Sequence, residues 1–290
     1  MMAPRNSRMP LCGAVLFIAL AAGACGPRQT TGGPTIAVIP KGTSHVFWQS
    51  VHAGAEKAAR ETGATIIWRG PLREDDRDSQ VSEVEGFVSR GVSGIVLAPL
   101  DEAALAAPVG EATRRGIPVV VIDSGLKGND YVSFVATDNR KGGRLAGDHL
   151  ADLLKAAGKI VMLRYAEGSE STIQREEGFL EAIGSRKQLE LLSTNQYGGA
   201  DVEGAYKKSE ALLGRFKRPD GSLAVDGIFT PNESTTHARN HRSRRGSFAA
   251  VSGSSASGVL PGQMTTVCSK LTGAPPDGAK GVSGGSGRGA

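Results

Sequence analysis

From Thr35 to about Thr236 the chain alternates short apolar runs with segments of helical period. The runs Thr35–Ile39, Thr65–Trp68, Ser93–Leu97, Pro118–Ile122, Tyr131–Ala136, Lys159–Leu163, Leu189–Thr194 and Gly227–Thr230 read as strands. After the first run, "HVFWQSVHAGAEKAA" places Phe47, Val51, Ala55 and Ala58 at spacings of four, four and three, which is one face of a helix. Gly63, Gly91 and Gly116 stand where helical segments stop, and a glycine there can take the left-handed turn that closes a helix. Runs such as "GIVLAP" and "PVVVID" are apolar throughout, as strands are when helices cover both faces of their sheet.

This order predicts an α/β fold with two doubly wound parallel-sheet lobes. The first lobe is expected over residues 35–136 and the second over 137–236. "ATDNRKGG", with Asp138 or Asn139 as a helix cap, marks the crossing between them. Two sheets joined in this way leave a cleft, and in open α/β sheets ligands sit beyond the carboxyl ends of the strands.

The flanks differ from this body. Residues 1–25 have a charged start (Arg5, Arg8), an apolar stretch from Leu11 to Ala22 and the small-residue ending "AAGAC", the layout of a secretory signal. The apolar stretch is shorter than the roughly 20 residues that a membrane-spanning helix needs. Cys25 follows Ala22-Gly23-Ala24, an order that resembles a lipoprotein processing site, although Ala22 stands where that pattern prefers leucine. Plain secretion with an incidental cysteine is the other reading. Either way the chain is expected to be exported, in the periplasm or anchored at the cell envelope. Residues 26–34, with "PRQTTGGP", read as a flexible linker.

The net charge of +5 comes from the flanks. Ten of the 34 basic residues but one of the 29 acidic ones lie before Thr35 or after Thr236, so the body carries 24 bases against 28 acids. That is no nucleic-acid surface. Of the three cysteines, Cys12 and Cys25 lie in the signal, which leaves Cys268 and no framework for disulfides or zinc.

The strand ends carry the candidate chemistry. His45, Phe47 and Trp48 follow the first strand, and Asp123 and Ser124 follow the fourth. Glu167, Ser171 and Arg175 follow the sixth, and Asn232 follows the last. Only 5% of the chain is aromatic, so two adjacent rings at a strand-to-helix turn stand out. Aromatic faces pack on the C–H faces of sugar rings, while a carboxylate, a guanidinium and an amide pair with hydroxyls. Phe47 and Trp48 read as a pocket wall with one ring stacking on a guest, or else as core, Phe47 being in register with Val51.

The pieces "HVFWQSVHAGAEKAA", "RGVSGIVLAP", "GIPVVVIDS", "TDNRKGGRLAGDHL", "REEGF" and "FTPNES", in this order, resemble the ribose-type periplasmic binding proteins, the solute receptors of sugar importers. The resemblance covers Thr35 to Thr236. It implies that His45, Phe47, Trp48, Asp123, Arg175 and Asn232 bind ligand, with Tyr197 bordering the cleft. The ribose receptors carry arginine after the aspartate where this chain has Ser124, so ribose itself is in doubt.

The resemblance also implies hinge closure on a monosaccharide or polyol and delivery to the membrane permease of an ABC-type importer. The alternative output is a membrane sensor kinase or chemoreceptor. The chain is expected to act as a monomer.

Repressors share this core, but they place a DNA-binding element where this chain has an export signal. An enzyme is disfavoured, because no phosphate loop, no metal-spaced histidine pair and no G-x-S-x-G elbow is present. No cofactor and no metal are expected. Gly142, Gly143 and Gly147 read as close helix packing, His52 and His149 as helix-surface residues, and "REDDRD" (Arg73 to Asp78) as a solvated charge run whose Asp75 or Asp76 favours a helix start.

Residues 237–290 are basic and rich in Gly and Ser, with no sustained apolar period, and they predict a disordered tail. Relatives continue here with a helix, a strand and the segments that return to the first lobe. The second half of the fold is therefore expected to be incomplete. The abrupt break suggests a reading-frame shift near Thr236, against a natural basic tail, and such a chain is expected to fold poorly and to bind sugar weakly or not at all.

Overall fold

The computed structural model describes residues 32–236; the expected export signal, Cys25, the first part of the expected linker and the expected tail from 237 lie outside the described residues. The elements follow the pattern of the sequence. They are β1 (Thr35–Ile39), α1 (Val46–Thr62), β2 (Thr65–Trp68), α2 (Arg77–Arg90), β3 (Gly94–Leu97), α3 (Ala106–Arg114), β4 (Val119–Ile122) and β5 (Ser133–Val135). They continue with α4 (Asn139–Leu153), β6 (Gly158–Arg164), α5 (Glu170–Gly184), β7 (Leu189–Tyr197), α6 (Val202–Gly214) and β8 (Gly227–Phe229).

The strands form two sheets, ordered β2-β1-β3-β4-β5 and β7-β6-β8, in which every pairing is parallel. This is the fold class that the apolar runs predict. In each sheet the order reverses beside its first strand, β1 or β6, and that reversal opens a crevice at the carboxyl ends.

Each sheet has its own core. Ile39, Ile95, Leu97, Val119 and Val121 pack with Val84 and Phe87 of α2 and Val109 of α3. In the second sheet the alternation of β6 divides the core in two. Ile160 and Met162 pack with Leu150, Phe179 and Phe229 on one face, and Val161 and Leu163 with Leu212, Leu213 and Ile228 on the other. The Phe179 and Phe229 rings stack at 4.0 Å and 9°.

Two expectations need correction. The first sheet is not covered equally on both faces: Ile36, Val96 and Val120 are only half-buried, whereas Ala37, Ile95, Leu97, Val119 and Val121 on the other face are buried with residues of α2 and α3. The inward stripe of α1 is also turned by one residue. Trp48, not Phe47, is the buried aromatic, and Phe47 is 45% exposed. Apolar spacing alone cannot separate neighbouring stripes on a helix rich in alanine.

The ends of the helices are built as the sequence suggests. Asp76 and Asp138 cap α2 and α4, accepting the backbone N–H of Ser79 and Lys141 at 3.0 and 2.9 Å. Gly63 and Gly91 close α1 and α2 in the left-handed conformation, whereas α3 ends on Arg115 with Gly116 one place later. Helices α4 and α5 touch backbone to backbone. A Cβ at Gly143 would meet the carbonyl oxygen of Arg175, and one at Gly178 that of Arg140. The glycines of α4 are thus contact residues for the helix that carries Arg175.

No helix among the described residues is long and apolar enough to cross a membrane.

Candidate functional site

The carboxyl ends of the two sheets meet in one polar region. The loops after β1, β2 and β4 bring Lys41, His45, Glu74, Asp123 and Ser124. From the second sheet come Tyr165 and Ser169 after β6, Ser171 and Arg175 on α5, and Pro231 and Asn232 after β8.

Glu74 is the hub of one part. Its Oε1 accepts the indole N–H of Trp48 at 2.5 Å and lies 3.2 Å from His45 Nδ1, while Oε2 accepts the Tyr165 hydroxyl at 2.7 Å. Burial pushes the Glu74 carboxyl up, but the hydrogen bonds from His45 and Tyr165 and the charges of Lys41 and His45 outweigh it and hold the pKa at about 2. The hydrogen bond to Glu74 in turn raises the His45 pKa against partial desolvation. Burial and the Glu74 charge raise the Tyr165 phenol well above its usual value, so it stays a neutral donor. Behind it, Glu176 accepts the backbone N–H of Tyr165 at 3.0 Å and the Nε of Arg164 at 2.6 Å, which fixes the end of β6.

Asp123 is the hub of the other part. It sits at φ +64, a left-handed conformation that Asp tolerates better than most residues. Its Oδ2 is 3.1 Å from Lys41 Nζ. Next to it, the Ser124 hydroxyl is buried and accepts the backbone N–H of Ser171 at 3.0 Å. The substitution that weakens the likeness to ribose receptors is therefore a contact between the sheets.

Arg175 is held by neutral acceptors. Its Nε donates to Asn139 Oδ1 at 2.8 Å and its Nη1 to the Pro231 carbonyl at 2.9 Å, with no hydrogen bond from Nη2 among the described residues. Desolvation lowers its pKa; the charge of Asp123 is the first influence opposing it, followed by Glu74 and Glu176. A half-buried guanidinium with an uncommitted nitrogen, under the charge of Asp123, offers a donor to neutral hydroxyls while the carboxylate offers an acceptor.

Other candidates lie at the rim or make local bonds. Trp48 is 2% exposed and turned into the Glu74 cluster, so it forms wall rather than an open stacking face. The Phe47 ring stands edge-on to it at 4.8 Å. The Arg164 guanidinium lies 5.4 Å from the ring of Tyr197, at the end of β7. The Asn232 amide is engaged locally: its Oδ1 accepts the Thr235 hydroxyl at 2.6 Å and its Nδ2 donates to Ser234. Its neighbour Pro231 makes the contact with Arg175. Glu167 is exposed. His149 is exposed, and His52 stacks on Trp68 at 4.4 Å.

Sequence reasoning missed Lys41, Glu74, Asn139 and Tyr165. Glu74 lies within "REDDRD", a run read as solvated, and its neighbours Asp75 and Asp76 do face solvent. Lys41 and Tyr165 each follow a strand end closely, and that position was their only signal. No group of three or more His, Cys, Asp or Glu residues that could hold a metal ion exists among the described residues.

The family profile described as periplasmic binding protein domain matches residues 36–267, running past Thr236, where the sequence pattern ends. The chain is 32% identical over 199 residues to the ribose import binding protein of Bacillus subtilis, covering 69% of this chain and 62% of that one. It is 30% identical over 207 residues to a D-ribose/D-allose-binding protein of Pseudomonas aeruginosa, covering 69% and 64%. The chain thus spans less than two thirds of these relatives. Among solved structures, it resembles a periplasmic component of a sugar transport system from Hahella chejuensis, with TM-score 0.67, 33% identity and coverage of 72% of this chain and 75% of that one. A solute-binding protein from Agrobacterium vitis with bound D-fucose gives TM-score 0.66 and 33% identity, covering 72% of each chain.

Proposed function

The chain belongs to the periplasmic binding protein domain family, and from that premise we propose that it captures a monosaccharide or similar polyol between its two sheets, outside the cytoplasm. The observation that carries this reading is that facing sheet ends present Arg175, whose Nη2 makes no hydrogen bond among the described residues, and Asp123, whose charge acts on that guanidinium. Neutral hydroxyls satisfy both at once. The relatives named as ribose, allose and fucose binders support the class of guest. Delivery to the permease of an ABC importer is part of the same proposal, as are processing at Cys25 and the lobe limits at residues 136 and 236. So is the frame shift near Thr236, which sequencing of the gene across that codon tests.

The experiment for capture is a thermal-shift and calorimetric screen of the purified chain with pentoses, hexoses and polyols, beginning with D-ribose, D-allose, D-fucose and xylitol. At least one guest is expected to give a saturable shift that Asp123→Asn and Arg175→Met abolish. No shift with any guest at millimolar concentration, equivalent to less than about 4 kcal/mol of binding, overturns the reading.

A further inference from the structure

We propose that Lys41 is a positioning residue of the cleft: it holds the Asp123 carboxylate by one oxygen and ties it across to the second sheet. Its hydroxyl-reading geometry is then complete only when the two sheets stand together. This deepens the capture reading and rests on it for the role of Asp123, but its test needs no guest.

Three contacts carry it. Lys41 Nζ lies 3.1 Å from Asp123 Oδ2, from Ser169 Oγ and from Ser171 Oγ. Asp123 belongs to the first sheet, and the two serines stand at the start of α5, beside β6 of the second. Lys41 is 4% exposed, while Ser169 and Ser171 are 1% and 2% exposed. An ammonium buried to that degree must have its charge and donors met by protein. A carboxylate of its own lobe supplies the charge, and the other lobe supplies two hydroxyl acceptors. Separating the sheets strips both serines from the ammonium at once.

The consequence for recognition follows from which oxygen is taken. Lys41 engages Oδ2, and no hydrogen bond is made to Oδ1 among the described residues. Asp123 therefore offers a guest an unengaged Oδ1, while its Oδ2 is shared with Lys41. Next to it, the backbone N–H of Ser171 donates to Ser124 Oγ at 3.0 Å, so the same segment of α5 is pinned twice to the loop after β4.

The test measures the separation of the sheets in the guest-free protein. Spin labels are placed at Lys57→Cys on α1 and Lys207→Cys on α6, both highly exposed, with Cys12, Cys25 and Cys268 changed to serine. The parent is expected to give one short distance. Lys41→Met is expected to raise the open-to-closed ratio by at least about tenfold, the scale for losing hydrogen bonds to a buried charge. A folded Lys41→Met variant whose distances superimpose on the parent's overturns the proposal, as does a parent that is already open.

Should Lys41→Met fail to fold, the Ser169→Ala/Ser171→Ala variant decides, because it keeps the ion pair and removes only the two bonds from Lys41 to the second sheet. Opening supports the proposal and no opening overturns it. A chain that is clasped yet binds no sugar refutes capture alone.

Discussion

Tyr165 donates its hydroxyl to Glu74 Oε2 at 2.7 Å, so a phenol at the end of β6 and a carboxylate beyond β2 hold each other from opposite sheets. Both are buried. Tyr165→Phe keeps the ring and removes the only bond that Glu74 receives from the second sheet among the described residues. The variant is expected to lose about 1–2 kcal/mol of stability in urea unfolding, the cost of leaving a buried acceptor short of a partner. A variant as stable as the parent would show that water replaces the phenol there.

The His45–Glu74 pair makes stability depend on pH from both sides. The Glu74 pKa is lowered from 4.5 to about 2, so its contribution is present above about pH 4.5 and disappears as pH falls through about 2. At full strength it is roughly 3 kcal/mol, less any share that the pair divides with His45. The His45 pKa is raised above 6.5, so its contribution is present below 6.5 and disappears as pH rises through the folded value. The pair is thus strongest between about pH 4.5 and 6.5. His45→Gln is expected to flatten the alkaline limb of a stability–pH profile, and Glu74→Gln the acid limb. Unchanged limbs in both variants would remove the pair from the account.

Most of the scaffold was legible because short apolar, β-branched runs alternate with segments of helical period, and β1 and β2 fall on their expected residues. Asp123, Ser124 and Arg175 were legible because strand ends at a sheet crevice are the places where side chains meet. Glu74 and Lys41 were not. A charged residue becomes part of a site through what the other sheet presents to it, and neither Tyr165 nor Ser169 is near them in sequence. Trp48 and Phe47 were exchanged for the same reason. The indole N–H finds Glu74, 26 residues away, and that partner turns the helix.

Close contact between α4 and α5 sets the position of Arg175, and glycine makes it possible. Gly143→Ala would drive a methyl into the Arg175 carbonyl, which is backbone and cannot swing aside. The helices must then part, at a cost of about 1–3 kcal/mol or more. Gly54→Ala on α1 is the control, since its added methyl meets nothing within 4 Å and alanine is the better helix former. Thermal unfolding should show a clear loss for the first and none for the second. Equal melting of the two would mean that the helices have slack at this crossing.

The Lys41–Asp123 ion pair offers a double-mutant cycle with a definite sign. Lys41→Met alone leaves a carboxylate with 17% of its side chain exposed and no cation in contact, and Asp123→Asn alone leaves a nearly buried ammonium without its counter-ion. Each break is expected to cost about 3–5 kcal/mol. Asparagine also tolerates the left-handed backbone at position 123, so the second change tests charge rather than strain. Making both changes removes both charges together, and the double variant should be more stable than the sum of the singles predicts by about 1–3 kcal/mol. Strictly additive losses would mean that the two charges do not feel each other, and Asp123 would then be positioned by its turn alone.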